Sequence, residues 1–336
     1  MAVVMAVVMA VVMSVVEVAV VDVNKYTRQN ENKYIRQDEN KYTRQNEIKY
    51  THCACTWPSA FANSVWEGTR GQLTFGSSTL GGLVIDVSSL DPSAGSLSTW
   101  ECVNTDYFQA EGILLLKSTK KFNHINALFL AYFCFTMTRV TGVEAFYFYQ
   151  SHAMEPSLNN ERIKIHQAET FTTKAQICGA TPPVQEFHYM VKQGQELVSK
   201  QFCPPSLLAR MEYNVTSSNG AVSCTGPADS WDVCTDKTKM TFNYSTCATQ
   251  MMYSSDGRVY CMFNLTTTHH YTMVYSNGTS GSKFICVVSN EAGTAASFVE
   301  GRCGQSNQSP TTFATSDGSD VGFTVTMSAA GNLDIY

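Results

Sequence analysis

Three short runs decide the fold class: Val259-Tyr-Cys-Met-Phe-Asn-Leu265, Tyr271-Thr-Met-Val-Tyr275 and Phe284-Ile-Cys-Val-Val288. All are rich in β-branched and aromatic residues. In the first, Val259, Cys261, Phe263 and Leu265 recur at every second position, the period of a strand with one buried face. Ser255-Asp256-Gly257 precedes the first run and Ser276-Asn277-Gly278 follows the second, and both are turn sequences. Strand, turn and strand in close succession predict an antiparallel meander.

Working outward, Met211–Val215 and Met240–Tyr244 alternate in the same way, and Gly322–Met327 is a late strand candidate. Upstream, strands are expected at Gln72–Phe75, Leu83–Val87, Ile113–Leu116, Ala127–Val140 and Val143–Tyr149, with small-residue clusters such as Gly76-Ser77-Ser78 and Ser93-Ala94-Gly95 between them. The charge-free run Ile125–Met137 is 13 residues long, too short to cross a bilayer, and reads as a buried strand. The fold class expected is all-β: two disulfide-stabilised antiparallel modules, meander or barrel-like, behind a low-complexity N-terminal segment. The expected domains are repeats over 1–52, a first cysteine-rich β module over 53–178, a connector over 179–202 with one short helix near Gln185–Lys200, a second cysteine-rich β module over 203–303, and a polar tail over 304–336.

Composition agrees. Of 336 residues only 15% are charged, where about 25% is usual. The net charge is −5, and no segment is basic enough for a nucleic-acid footprint. The N-terminus repeats MAVV from Met1, then an eight-residue unit, Asn24-KYTRQNE and its copies. The first lacks the basic start and small-residue cleavage site of a secretory signal. The second buries almost nothing. Residues 1–52 read as an imperfect signal or anchor, or as translated repetitive DNA.

The chain holds 12 cysteines, an even number, widely and irregularly spaced, with no C-x-x-C. Zinc sites use close pairs, and the single close pair here, Cys53-Ala-Cys55, has no second pair beside it. Disulfides are therefore expected, drawn from Cys55, Cys102, Cys134, Cys178, Cys203, Cys224, Cys234, Cys247, Cys261, Cys286 and Cys303. Cys261 shares a strand face with Val259 and Phe263, and Cys286 with Phe284 and Val288, so both should point inward. The bridges expected are Cys224–Cys234 across a short loop and Cys247–Cys261 across a hairpin, though six cysteines allow fifteen connectivities. Such bridges belong to oxidising, extracellular compartments.

Glycosylation sequons begin at Asn214, Asn243, Asn264, Asn277 and Asn307. The first three fall opposite the apolar face of their strands and Asn277 sits in a turn, so these four should face solvent, where a glycan must be. Asn307 lies in a polar loop shortly before Pro310.

One resemblance gathers these features. Pro204-Pro205-Ser206-Leu207-Leu208, Met211-Glu-Tyr213, Ser223-Cys224-Thr-Gly-Pro227, Trp231-Asp-Val-Cys234-Thr-Asp236, Met240-Thr-Phe242-Asn-Tyr244 and Phe284-Ile-Cys286 stand in an order that resembles cysteine-rich modules of large invertebrate secreted and cell-surface proteins, known only as domains of unknown function. Cys203, Cys224, Cys234, Cys247, Cys261 and Cys286 fit that pattern. Cys55-Thr-Trp-Pro58, Trp66-Glu-Gly, Trp100-Glu-Cys102, Leu114–Ser118 and Phe133-Cys134 are similar to a companion module of the same proteins. The resemblance implies extracellular residence and disulfides, and brings no catalytic residue.

Nothing in the sequence points to catalysis, a cofactor or a metal. There is no G-x-S-x-G and no H-E-x-x-H. The pair His269-His270 precedes a strand and should point to opposite faces. Asp317-Gly-Ser-Asp320 offers two carboxylates where Ca²⁺ wants about six oxygens. Trp57, Trp66, Trp100 and Trp231 read as core, with a ligand groove as the alternative. The function expected is an extracellular or cell-surface recognition module whose partner is another extracellular protein or a glycan. Membrane contact is expected only through the N-terminal apolar segment or as part of an anchored protein. The alternative, prompted by the lipocalin-like W-x-G at Trp66, is a carrier of lipid or another small molecule in a barrel cavity. A secreted enzyme ranks third.

Overall fold

The computed structural model describes residues 55–168, 170, 173–217, 223–243, 256–278, 282–304, 308–312 and 322–330. The N-terminal repeats, Cys53, Cys247, Asn307 and Asp317–Asp320 lie outside these. The described chain is almost wholly β and forms two eight-stranded antiparallel barrels.

The first barrel is built from β1 (Ser64–Gly68), β2 (Gly71–Phe75), β3 (Thr79–Asp86), β4 (Ser96–Cys102), β5 (Ile113–Ser118), β7 (Ala127–Arg139), β8 (Ala145–Gln150) and β12 (His188–Lys192). It closes in the order β7-β5-β4-β3-β2-β1-β12-β8 and back to β7. The 13-residue β7 makes the closure: its central residues pair with β5, its last residues with β8. Its first half carries two extra strands, β6 (Phe122–His124) and β11 (Lys164–Gln167). The small hairpin β9 (Met154–Glu155) and β10 (Glu161–Arg162) lies between β8 and β11 in sequence. Two short helices complete this half, α1 (Asp106–Glu111) and α2 (Lys174–Ile177).

The second barrel runs in plain sequence order: β13 (Arg210–Ser217), β14 (Ser223–Asp232), β15 (Lys239–Asn243), β16 (Arg258–Thr266), β17 (His270–Ser276), β18 (Phe284–Ser289), β19 (Ala295–Glu300) and β20 (Gly322–Ala329), with β20 closing on β13. It is the meander the alternation predicts, closed on itself.

Two expectations change. The helix near Gln185–Lys200 is the strand β12, which inserts between β1 and β8 and completes the first barrel. His188, Tyr189, Met190 and Val191 are all buried, because one face fills the lumen and the other packs on the second barrel. Burial on both faces erases the period of two. The strand Gly322–Met327, expected in a polar tail, is the closing stave β20.

Both lumens are filled by side chains. In the first, Phe61 lies 4.9 Å from Phe75 and 5.3 Å from Trp66, and Trp100 lies 4.8 Å from Phe133 between ring centroids. In the second, Tyr213 stacks on Trp231 at 5.2 Å and Phe298 on Phe323 at 5.1 Å. Each fully buried ring of this size contributes roughly 1.5–3 kcal/mol of hydrophobic stabilisation. All four tryptophans are buried. Trp66 Nε1 donates to Ser64 Oγ at 2.9 Å and Trp100 Nε1 to the Leu83 carbonyl at 2.7 Å.

A third core joins the barrels. Ala145 of β8 with Tyr189 and Val191 of β12 meets Met262, Tyr271, Met273, Tyr275, Phe284, Cys286 and Val288 of β16–β18. A bulge between Cys261 and Phe263 creates part of this surface. Val259 and Cys261 face the lumen of the second barrel, whereas Phe263 and Leu265 pack at the junction. The single alternating face expected for Val259–Leu265 is thus split in two, because one extra residue in a strand reverses the side-chain direction. Cys286 points inward as expected, into the core between the barrels and not into a lumen.

Candidate functional site

Between described residues the bridges are Cys55–Cys102, Cys134–Cys178, Cys203–Cys261 and Cys286–Cys303. Cys224 is also disulfide-bonded. The expected pairs Cys224–Cys234 and Cys247–Cys261 are corrected: Cys261 bonds Cys203, and Cys234 is free and exposed. Sequence proximity misleads here. Cys203 precedes the barrel, yet its backbone N–H bonds the Lys237 carbonyl and so brings it against β16. Multiple bridges of this kind fit an extracellular, oxidising environment.

Asn214, Asn243, Asn264 and Asn277 are all exposed. On β13 the alternation is complete: Met211, Tyr213 and Val215 are buried while Glu212, Asn214 and Thr216 are exposed. Asn307 lies outside the described residues.

His269 and His270 take different environments. His270 is buried with Nδ1 3.0 Å from Thr266 Oγ1, while His269 is half-buried. Among the described residues, no three His, Cys, Asp or Glu side chains gather as a metal site would need, and no helix is long and apolar enough to cross a membrane.

Two surface features stand out. The first is the segment between the barrels, where Leu197 is 48% exposed, Val198 72% and Phe202 69%. Phe202 is held out by fixed neighbours. Gln201 N donates to the Cys261 carbonyl at 2.7 Å, and Cys203 is bridged to Cys261. An apolar ring kept in water by a rigid backbone has little entropy to lose on docking.

The second is a charged cap over one end of the first barrel. On β8, Phe146 and Phe148 face the lumen and Gln150 continues their face; on β12, His188 continues the face of Met190. His188 stacks on Phe148 at 5.1 Å, with Nε2 2.9 Å from Gln150 Oε1 and Nδ1 3.0 Å from Thr69 Oγ1. Complete burial, with Arg70 and Arg302 nearby, holds this imidazole well below the usual histidine range, so it is neutral. Above it, Arg70 Nη1 donates to Glu161 Oε1 at 2.6 Å. Arg162 donates from Nε and Nη2 to Glu186 Oε2 at 3.1 and 2.8 Å, and from Nη1 to the His152 carbonyl at 3.0 Å. Arg302 approaches Glu186 Oε2 at 3.9 Å. Burial lowers the Arg302 guanidinium's affinity for its proton, and Arg162 and Arg70 add to this, against the raising effect of Glu186 and Glu161. Sequence reading missed this cap. Its residues come from the β1–β2 turn, the β9–β10 hairpin, the segment before β12 and the loop after β19, and no local motif links them.

A family model described as a domain of unknown function (DUF7042) matches residues 199–317. That stretch spans β13 to β19 and stops short of the closing strand β20. No curated protein and no solved structure matches the chain.

Proposed function

We propose that this chain is an extracellular recognition module, secreted or at a cell surface, that binds another protein and carries N-glycans on its second barrel. The observation that supports this reading most is Phe202, 69% exposed on a backbone pinned by the Cys203–Cys261 bridge. Aromatic anchors of this kind dominate interface energetics. Filled lumens favour recognition over the lipocalin-like carrier. His188 is buried with both ring nitrogens engaged, by Gln150 and Thr69, which favours recognition over an enzyme. The match to a domain of unknown function fits the resemblance to cysteine-rich modules of invertebrate secreted proteins, with the first barrel as the companion module.

The test places a photo-crosslinking amino acid at position 202 in the protein expressed by animal cells, with the same probe at exposed Glu212 as control. A discrete protein adduct at 202 and none at 212 is the expected result. Equal labelling at both positions, or none at either, sinks the reading. Native mass spectrometry of the same sample carries the alternative, since a co-purifying small molecule would restore the carrier.

A further inference from the structure

We infer that the charged cap on the first barrel is a binding site for a single oxyanion group, a sulfate or carboxylate, held by Arg70 and Arg302 beside Arg162. This site is separate from the Phe202 surface and does not depend on the recognition reading.

The clustered charge is the first support. Three guanidiniums, Arg70, Arg162 and Arg302, cluster on two carboxylates, Glu161 and Glu186, above a neutral histidine, with Glu155 opposite Glu161 on the β9–β10 hairpin. They do so in a protein of net charge −5. These cations sit where water screens them poorly: side-chain exposure is 15% for Arg70, 10% for Arg162 and 23% for Arg302. Bringing three like charges together in such a setting is costly, and a bound anion offsets that cost.

The hydrogen bonds give the second. Arg162 is spent, with three donors on Glu186 and the His152 carbonyl. Arg70 spends one donor, on Glu161. Among the described residues, Arg302 makes no hydrogen bond, and its nearest anion is at 3.9 Å. A guanidinium carries five donors in a planar fork that matches carboxylate and sulfate oxygens two at a time. Arg70 follows Thr69, whose N–H bonds the Tyr189 carbonyl, and Arg302 precedes Cys303, whose N–H bonds the Phe187 carbonyl, so both under-used forks leave the chain beside the same end of β12.

The surroundings hold those forks in place. Arg302 precedes Cys303, which is bridged to Cys286 and whose N–H bonds the Phe187 carbonyl at 3.0 Å. Arg70 sits in the β1–β2 turn, where Thr69 N bonds the Tyr189 carbonyl at 2.9 Å. Next to that turn Gly68 leaves no room for a side chain, since a Cβ there would lie 2.4 Å from the Tyr189 oxygen. Glu161 and Glu186 supply the contrast. Their charge beside the free forks repels a polyanion and favours a single anionic group.

The shared chemistry has two sources, a free inorganic ion or an acidic group on a glycan. Isothermal titration of the full glycosylated chain with sodium sulfate, and separately with a sulfated disaccharide, distinguishes them at ionic strength matched with chloride. Saturable one-to-one binding is expected, weakened about tenfold or more in Arg302→Gln and in Arg70→Gln. It should be unchanged in Arg258→Gln on the second barrel. A disaccharide at least tenfold tighter than sulfate identifies the glycan as the source, and equal affinities identify the ion. Absence of saturable heat with both probes overturns the site, as does binding that survives both cap substitutions. The wild-type titration decides even if one variant fails to fold.

Discussion

Tyr147 of the first barrel stacks on Phe263 of the second, with ring centroids 4.4 Å apart and planes 17° from parallel. Phe187 meets the same Phe263 ring edge-on at 5.2 Å. One side chain of β16 therefore touches β8 and the segment before β12, and the barrels share a core in place of a flexible hinge. Phe263→Ala should cost about 2–3 kcal/mol, less than a fully buried Phe because the ring is only half covered. Denaturant unfolding followed by tryptophan fluorescence reports both barrels, through Trp66 and Trp100 in one and Trp231 in the other. The wild type should show one transition. Two well-separated transitions in the wild type would mean that the junction contributes little.

His188 makes stability depend on pH. Its folded pKa is depressed, chiefly by burial, so the unfolded chain binds the proton more readily. The stabilisation is complete above the unfolded value near pH 6.5 and is lost as pH falls below it, at up to about 1.4 kcal/mol per pH unit. Urea midpoints measured from pH 8 to pH 5 should fall along that slope, and His188→Gln should flatten it. An unchanged slope in the variant would assign the pH dependence to other groups.

The bridges should differ in worth according to the loops they close. Cys203–Cys261 spans 58 residues and Cys286–Cys303 spans 17. The chain-entropy relation gives about 4 kcal/mol for the first and about 3 for the second. Replacing each pair by alanines and comparing unfolding free energies checks the order. A larger loss from the shorter loop would show that native packing around Cys286, deep in the junction, outweighs the entropy.

Free and bonded cysteines should separate chemically. Cys234 is exposed and free. A maleimide applied to native protein should label it, while Cys55, Cys102, Cys134, Cys178, Cys203, Cys261, Cys286 and Cys303 react only after reduction. Peptide mass spectrometry reads this directly. The same digest reports glycan occupancy at Asn214, Asn243, Asn264 and Asn277, and bare asparagines in secreted protein would remove the glycan part of the proposed function.

The sequence by itself determined the all-β class, the meander of the second barrel and the outward placement of Asn214. Those follow from a period of two with one buried face, which any half-buried strand must show. Burial on both faces removes that period: β17 and β18 stayed legible through their β-branched and aromatic content and the turns beside them, but β12 did not. β12 joins the lumen of one barrel to the junction with the other, so its alternation vanished and polar flanking residues suggested a helix. The bulge after Cys261 turned Phe263 out of the lumen, an event set by the register between β16 and β17 and invisible in either strand alone. Disulfide pairing likewise depends on which strands become neighbours, which is why Cys203 meets Cys261 across 58 residues. The cap of Arg70, Arg162 and Arg302 exists only once closure of the first barrel brings a turn, a hairpin and a distant loop to one end. Long-range charge pairing leaves no periodic trace in the chain that makes it.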